Sequence, residues 1–354
     1  MQGNRVILGR PTINIAGREN LALTEGLLNL LITENTSGLY RCEATFGNWG
    51  NYNNTIGYLY LDRALLDFGV AMQVQFGAGK LFDGRIMGLE AHFPSGESPS
   101  ITVLAEDRFQ ELRMTRRTRT FLDMSDTDVL TQIISDHGLS ASVNVTGTQH
   151  KVLAQLNQSD LAFLRERARA IDAELWIENG TMHVESRANR MSSGQTLSIS
   201  YGRDLRSFSV LADLAGQCST VTVSGWSPTD KDIIKSQATS SAIASEARAG
   251  TSGVSLVESV LSGRKESLVH AAPGSAEEAQ YLAEAYLKMS TRRFVVGHGV
   301  AETNGQLRVG SVVNLAGLGQ LFSGHYYLSE VTHLFDGRNG MRTEFTAERP
   351  YIGG

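Results

Sequence analysis

A stretch of 40 residues occurs twice in this chain of 354, and no other feature narrows the possible folds as much. The first copy begins at Gly69, continues through Gly77-Ala78-Gly79-Lys80-Leu81-Phe82-Asp83-Gly84, passes Glu90 and His92, and closes on Ala105-Glu106-Asp107-Arg108. The second begins at Gly310, continues through Gly317-Leu318-Gly319-Gln320-Leu321-Phe322-Ser323-Gly324, passes Glu330 and His333, and closes on Ala347-Glu348-Arg349, with one-residue slips inside. Glycine-rich stretches coincide easily. A shared order of Leu-Phe-x-Gly, Glu, His and a closing Ala-Glu does not, so we read one β unit used twice. Leu81, Phe82 and Gly84 are then expected at the same places in the first unit as Leu321, Phe322 and Gly324 in the second. Two equivalent units per chain suit a ring, because n copies present 2n equivalent surfaces and a trimer would be pseudo-six-fold. The units are expected to pair edge to edge between chains, since a ring removes exposed strand edges.

The texture around the copies agrees with a mainly β chain. There are 36 glycines against 6 prolines, as tight turns between short strands require. Residues 1–115 read as a first small β-barrel, with strand-like runs at residues 5–8, 39–46, 71–76 and 100–105. Residues 116–200 read as a small α+β unit. Ser125 and Asp128 form a capping box before the apolar face of Val129, Leu130, Ile133 and Ile134, and Gly138 closes that helix. A second helix follows Ser159, and Asn179-Gly180 marks a two-residue hairpin turn. Residues 201–354 read as the second barrel, interrupted over 227–293 by an inserted loop and a helix capped at Ser275 and Glu278. The part from 227 to about 266 is rich in Ser, Ala, Thr, Gly and Lys and reads as an exposed, partly mobile excursion.

Chemistry is sparse. Gly77-Ala78-Gly79-Lys80 lacks the spacing and the Ser or Thr of a phosphate loop. The eight histidines hold no i, i+4 pair, Cys42 and Cys218 read as buried free thiols, and no G-x-S-x-G frame surrounds any serine. No catalytic, cofactor-binding or metal-binding residue is therefore assigned. A net charge of −5 and a pI near 5.9 argue against dedicated nucleic-acid binding. The run Arg113, Arg116, Arg117 and Arg119 is the best basic patch, either contacting an acidic partner surface or nucleic acid or serving as a solvated strand or interdomain bridge. No window is apolar enough for a membrane span, and the N-terminus lacks a signal core, so synthesis in the cytoplasm is expected.

Four motifs in the middle segment carry a resemblance: Phe121–Leu130, Asp136-His137-Gly138-Leu139, Gln155–Leu164 and Leu175–Gly180. In this order, with Val223–Pro228 and the Gly310–His333 stretch, they resemble the phage late control protein D family, tail hub proteins akin to the N-terminal hub of VgrG spikes. The resemblance implies a non-catalytic homotrimer at the baseplate of a phage tail or injection particle. One face would meet a tail tube or tube-initiator protein, the other a separate trimeric spike, with baseplate wedge or LysM-type proteins as further partners. The alternative is a phage-derived cell-wall hydrolase or glycan-binding tail protein.

Overall fold

The computed structural model describes residues 9–353 apart from 53, 195, 228, 229, 248 and 249. The strand expected at residues 5–8 lies outside the described residues. The first part contains β1 (Thr12–Ile15), β2 (Arg18–Glu19), α1 (Leu21–Gly26), β3 (Leu27–Asn35), β4 (Arg41–Gly47), β5 (Gly50–Tyr52), β6 (Thr55–Gly57), β7 (Ala71–Phe76), β8 (Gly79–His92), β9 (Ser100–Glu106) and α2 (Phe109–Arg113). The middle holds β10 (Arg116–Ser125), α3 (Asp126–Asp136), β11 (Ser140–Asn144), β12 (Gln149–Ser159), α4 (Asp160–Ala170), β13 (Ala173–Glu178), β14 (Thr181–Ser186) and α5 (Arg187–Ser193). The last part holds β15 (Thr196–Ser200), β16 (Leu205–Ala212), β17 (Thr220–Ser227), β18 (Asp232–Ala238), β19 (Thr251–Ser252), α6 (Gly253–Leu261), β20 (Lys265–Leu268), α7 (Ala276–Arg292), β21 (Val295–Glu302), β22 (Val312–Ala316), α8 (Gly319–Phe322), β23 (Gly324–Asp336), β24 (Gly340–Arg349) and β25 (Tyr351–Ile352).

The chain is mainly β with an α+β insert, as its sequence indicates. The duplication is visible strand by strand. Antiparallel order β3-β4-β9-β8-β7 in the first unit matches β16-β21-β24-β23-β22 in the second. Ile86 faces Ala105 as Leu328 faces Ala347, both partners lying 242 residues further on. A bulge follows immediately in each, between Ile86 and Gly88 and between Leu328 and Glu330. A second matched bulge lies between Leu27 and Asn29 of β3 and between Leu205 and Ser207 of β16, 178 residues later. Bulges add local twist and re-aim a strand, so two at matched places give the units the same curvature. Gly69 and Gly310 are also equivalent. Each has positive φ, and each amide donates to the residue before the bulge, Ile86 at 2.7 Å or Leu328 at 3.0 Å.

The units do not close separately. A single thirteen-stranded sheet runs β16-β21-β24-β23-β3-β4-β9-β8-β7-β1-β2, with β22 and β15 branching from β23, and no closed barrel is traced among the described residues. One core lies on the first unit around Ile32, Phe46, Met72 and Val103, and another on the second around Leu205, Val313, Tyr326 and Phe345.

Local signals place the middle elements well. Ser125 and Asp128 form the capping box of α3, Gly138 has φ +64, and Asn179 and Gly180 both take positive φ in the turn between β13 and β14. The middle core also takes in Leu39, Phe109 and Leu112, so α2 packs with the middle unit although it precedes residue 116. The segment expected to be a mobile excursion is instead a small folded layer. Strands β18-β17-β20 form its sheet, and α7 lies on it through Ala279, Ala283 and Leu287 against Val221, Val223 and Ala238. The layer begins near Cys218, and Val221–Trp226 belongs to it rather than to the duplicated unit.

Candidate assembly interface

One strand joins the two units. β24 occupies one edge of β23, while the opposite edge takes β22 along Gly324–Tyr327 and then β3 along Glu330–Asp336. In that second stretch Thr332 faces Thr33, His333 faces Ile32 and Phe335 faces Leu30. Leu30, Ile32, Val331, His333 and Phe335 are all buried there. The His333 ring meets Thr343 Oγ1 at 2.9 Å, and burial pushes its pKa down to about 3, so it is neutral. Glu34, also buried, accepts from the Val309 amide at 3.2 Å and pairs with Arg308. Burial outweighs the arginine and lifts the Glu34 carboxyl above the usual range. Arg308 also donates to the Lys80 carbonyl at 2.7 Å, so one guanidinium ties the last unit to both β3 and β8. Beside it the two backbones touch, because a Cβ built on Gly79 would lie 2.6 Å from the Gly305 Cα.

The middle unit is bolted to the second by buried charge. Glu174 on β13 accepts from Arg187 Nε at 2.8 Å and Arg190 Nη1 at 2.9 Å, and from the hydroxyl of Tyr327 on β23. Burial alone would raise the Glu174 pKa, but the two arginines outweigh it and hold the carboxyl below the usual range. Arg292 on α7 similarly binds Asp172 at 2.7 Å and Glu246 at 2.6 Å.

The residues singled out from sequence fall in different settings. Leu81, Phe82 and Gly84 lie inside β8 and are buried, and a Cβ at Gly84 would come 2.2 Å from the Glu106 carbonyl oxygen. Leu321 and Phe322 instead form the α8 turn ahead of β23, with Leu321 half exposed, and Gly324 opens the strand at φ +128. The two Leu-Phe-x-Gly motifs are therefore not equivalent. Strand pairing sets Phe82, not Gly84, level with Gly324, because Val74 faces Phe82 as Leu315 faces Gly324. Glu90 and His92 likewise pair off by one or two positions from Glu330 and His333, whereas the closing Ala105-Glu106 and Ala347-Glu348 do coincide.

Arg113 pairs with Glu106, Arg117 with Asp160 at 3.1 Å, and Arg119 with Asp160 at 2.8 Å and Asp136 at 2.9 Å. Arg116 donates to the Asn157 carbonyl at 3.4 Å. Three of the four guanidiniums are thus occupied by carboxylates, leaving little free charge for a polyanion.

The one Thr-His-Asp grouping among the hydrogen bonds lacks the geometry of a relay. Thr148 Oγ1 and Asp126 Oδ2 approach the same ring nitrogen of His150, at 3.1 and 3.0 Å. A base that activates a hydroxyl needs the carboxylate on its other nitrogen. Among the described residues, no group of three or more His, Cys, Asp or Glu is placed to hold a metal ion, and both cysteines are buried and free. Among the described residues no helix is long and apolar enough to cross a membrane.

Among the duplicated strands, two edges are without a partner strand within the described residues. One is the outer edge of β16, which ends the sheet. The other is the stretch of β8 after the bulge, Gly88–His92, since β7 pairs with β8 only as far as Arg85. Beside the latter stands an exposed aromatic ladder, Trp49 against Tyr58 at 5.2 Å and Tyr58 against Phe93 at 5.7 Å, both edge to face. An edge without charge or cover is a template for another strand; Ser207–Ala212 of β16 carries no charge, whereas the β8 edge includes Glu90. Sequence reasoning gave no positions for these edges, because pairing between distant strands leaves no local pattern.

Solved structures similar to this chain include tail proteins. A 43 kDa tail protein of prophage MuSo2 from Shewanella oneidensis superposes with TM-score 0.70 at 13% identity, covering 96% of this chain and 98% of that one. A tail protein from Neisseria meningitidis gives TM-score 0.68 at 11% identity, covering 97% of both chains. An E. coli protein described as a component of the type VI secretion system, with structural similarity to T4 bacteriophage tail proteins, gives 0.59 at 12% identity, covering 96% of this chain and 76% of that one. The fold is thus the one found in phage tail and type VI secretion proteins. A family model described as the Alg8 N-terminal domain matches residues 68–336, and the chain belongs to that family. No curated protein matches the chain.

Proposed function

We propose that the chain is a structural baseplate hub of a contractile tail or injection system. Three copies form a pseudo-six-fold ring that joins a hexameric tail tube on one face to a trimeric central spike on the other. The observation that carries this reading is the duplication, in which two units with bulges at matched positions share one sheet. Such a chain presents two near-identical surfaces, as a three-fold ring facing a six-fold tube requires. The tail-protein fold and the order of the late-control-D-like motifs support the same reading. The buried ion pairs hold the middle unit against the ring and do no chemistry in it.

Native mass spectrometry of the purified chain is expected to give three copies per particle. A chain that stays single in the presence of tube and spike proteins overturns the reading. Clearing of a peptidoglycan zymogram would favour the wall-hydrolase alternative.

A further inference from the structure

Asp107 and Arg349 stand at the same place in the two units, each following the Ala-Glu pair that coincides between them. Both are buried, 5% and 2% exposed. Burial pushes the Asp107 pKa up to about 7, so this carboxyl sheds its charge by binding a proton. A guanidinium has no such recourse, because it stays protonated in a folded protein. Arg349 therefore needs a counter-charge, since an isolated buried ion is costly.

The groups around it do not supply one. Arg349 Nη1 donates to the Ser323 carbonyl at 3.0 Å and Nη2 to the Leu321 carbonyl at 2.6 Å, and the rings of Tyr326 and Tyr351 centre 4.5 and 5.1 Å from the guanidinium carbon. All four are dipoles or quadrupoles, not anions. Among the described residues Nε meets no acceptor and no carboxylate pairs with this guanidinium. Two neighbouring arginines differ: Arg187 holds Glu174 and Glu348, and Arg292 holds Asp172 and Glu246. Burial alone would lower the pKa of both, but their carboxylates outweigh it and raise them, whereas burial leaves Arg349 below its usual value.

Arg349 lines a cavity of about 20 Å³, shared with Arg187, Arg292, Tyr326, Tyr351 and Val312. One water needs about 10–15 Å³ by the same measure, so the space suits a single particle of that size or slightly larger. We propose that this cavity is a halide site, in which one chloride ion neutralises Arg349 and braces the α8 turn against the end of β24. Among the arginines and carboxylates that line it, three guanidiniums face Glu246 and Glu348 alone, which leaves one positive charge for one monovalent anion. Phosphate, or a carboxylate carried on another chain, is too large to enter. The first unit needs no such ion, because the matching position holds an acid that takes up a proton.

Crystals of the full chain grown in sodium bromide test this directly, because bromide takes the place of chloride and scatters anomalously. An anomalous peak beside Arg349 Nε is expected. In solution, urea unfolding is followed while sodium chloride replaces sodium gluconate at constant ionic strength, gluconate being too large for the cavity. An ion held only by the folded chain raises the folded-to-unfolded ratio about tenfold for each tenfold rise in chloride above its dissociation constant. Arg349→Met removes the charge and the donors and is expected to make the ratio independent of chloride. Val312→Leu keeps the guanidinium but takes space from the cavity, and should raise the chloride concentration needed for the same effect at least tenfold even if Arg349→Met does not fold. Bromide crystals with water alone in the cavity, a wild-type ratio indifferent to chloride, or a response that persists unchanged in these variants overturns the assignment.

Discussion

Gly79 and Gly305 set the distance between the two strand units, and a single methyl group tests how much stability depends on it. A Cβ at residue 79 would lie 2.6 Å from the Gly305 Cα and 3.3 Å from its carbonyl carbon, and a Cβ at residue 305 would lie 2.6 Å from the Gly79 Cα. Carbon atoms sit comfortably at about 3.5–4.0 Å. Gly79→Ala therefore requires the backbones to part by about 1 Å, and no side chain can rotate to avoid it. The same opening stretches the 2.7 Å bond from Arg308 to the Lys80 carbonyl out of hydrogen-bond range. Overpacking costs about 1–3 kcal/mol and loss of a bond from a charged donor about 1.5–3 kcal/mol, so a total of about 2.5–6 kcal/mol is expected. Urea unfolding followed by tryptophan fluorescence measures it, with Trp176 lining the same cleft as Lys80, Gly305 and Arg308. Gly57→Ala is the control, since a Cβ there meets nothing within 4 Å. The double variant Gly79→Ala/Gly305→Ala should cost less than the sum of the singles, because the first methyl has already opened the gap. If Gly79→Ala matches the control within about 0.5 kcal/mol, or the two changes simply add, the contact does not fix the spacing.

Other groups give separate tests. Glu174→Gln is expected to destabilise by about 3–5 kcal/mol, since it leaves buried Arg190 without a carboxylate and Arg187 with Glu348 alone, and hydrogen exchange in β13 and β23 should rise together. The Glu174 pKa is held low in the folded chain, so its contribution is present above the usual carboxylate range and fades as pH falls below it. Burial pushes the Asp107 pKa up to about 7, despite amide bonds from Tyr40 and Phe109. Its contribution is complete below about pH 4 and lost as pH rises through about 7, so urea midpoints of Asp107→Asn at pH 5, 6 and 8 should lack that downward trend. Arg119→Met should cost about 1.5–3 kcal/mol by removing a charged donor from buried Asp160, yet leave DNA retention on filters unchanged.

What could be read from the sequence was whatever local chemistry encodes. The capping serines 125 and 159, Gly138 and the Asn179-Gly180 turn each act within a few residues, and each stands where its pattern places it. The duplication was legible through Gly69 and Gly310, whose positive φ no other residue type takes as freely, and through the closing Ala-Glu pairs. The Leu-Phe-x-Gly match misled because glycine occurs at several turns in each unit, so an alignment can slip by two residues without penalty. The Ser and Ala content of 227–266 suggested mobility, although small side chains equally suit a sheet beneath a helix. The β3 and β23 junction and the open edges were invisible, because a strand's pattern shows which face is buried and not which strand lies beside it.

The edge of β23 that accepts β3 also has a consequence in time. Thr33 and Thr332 are sheet neighbours, yet 299 residues of chain separate them. At about 5–20 residues per second of synthesis, β3 emerges from the ribosome roughly 15–60 s before its partner strand exists. During that interval the first unit displays an unpaired edge of the same kind as β16. The nascent chain therefore cannot finish this internal junction until β23 has emerged, long after the strands of the first unit.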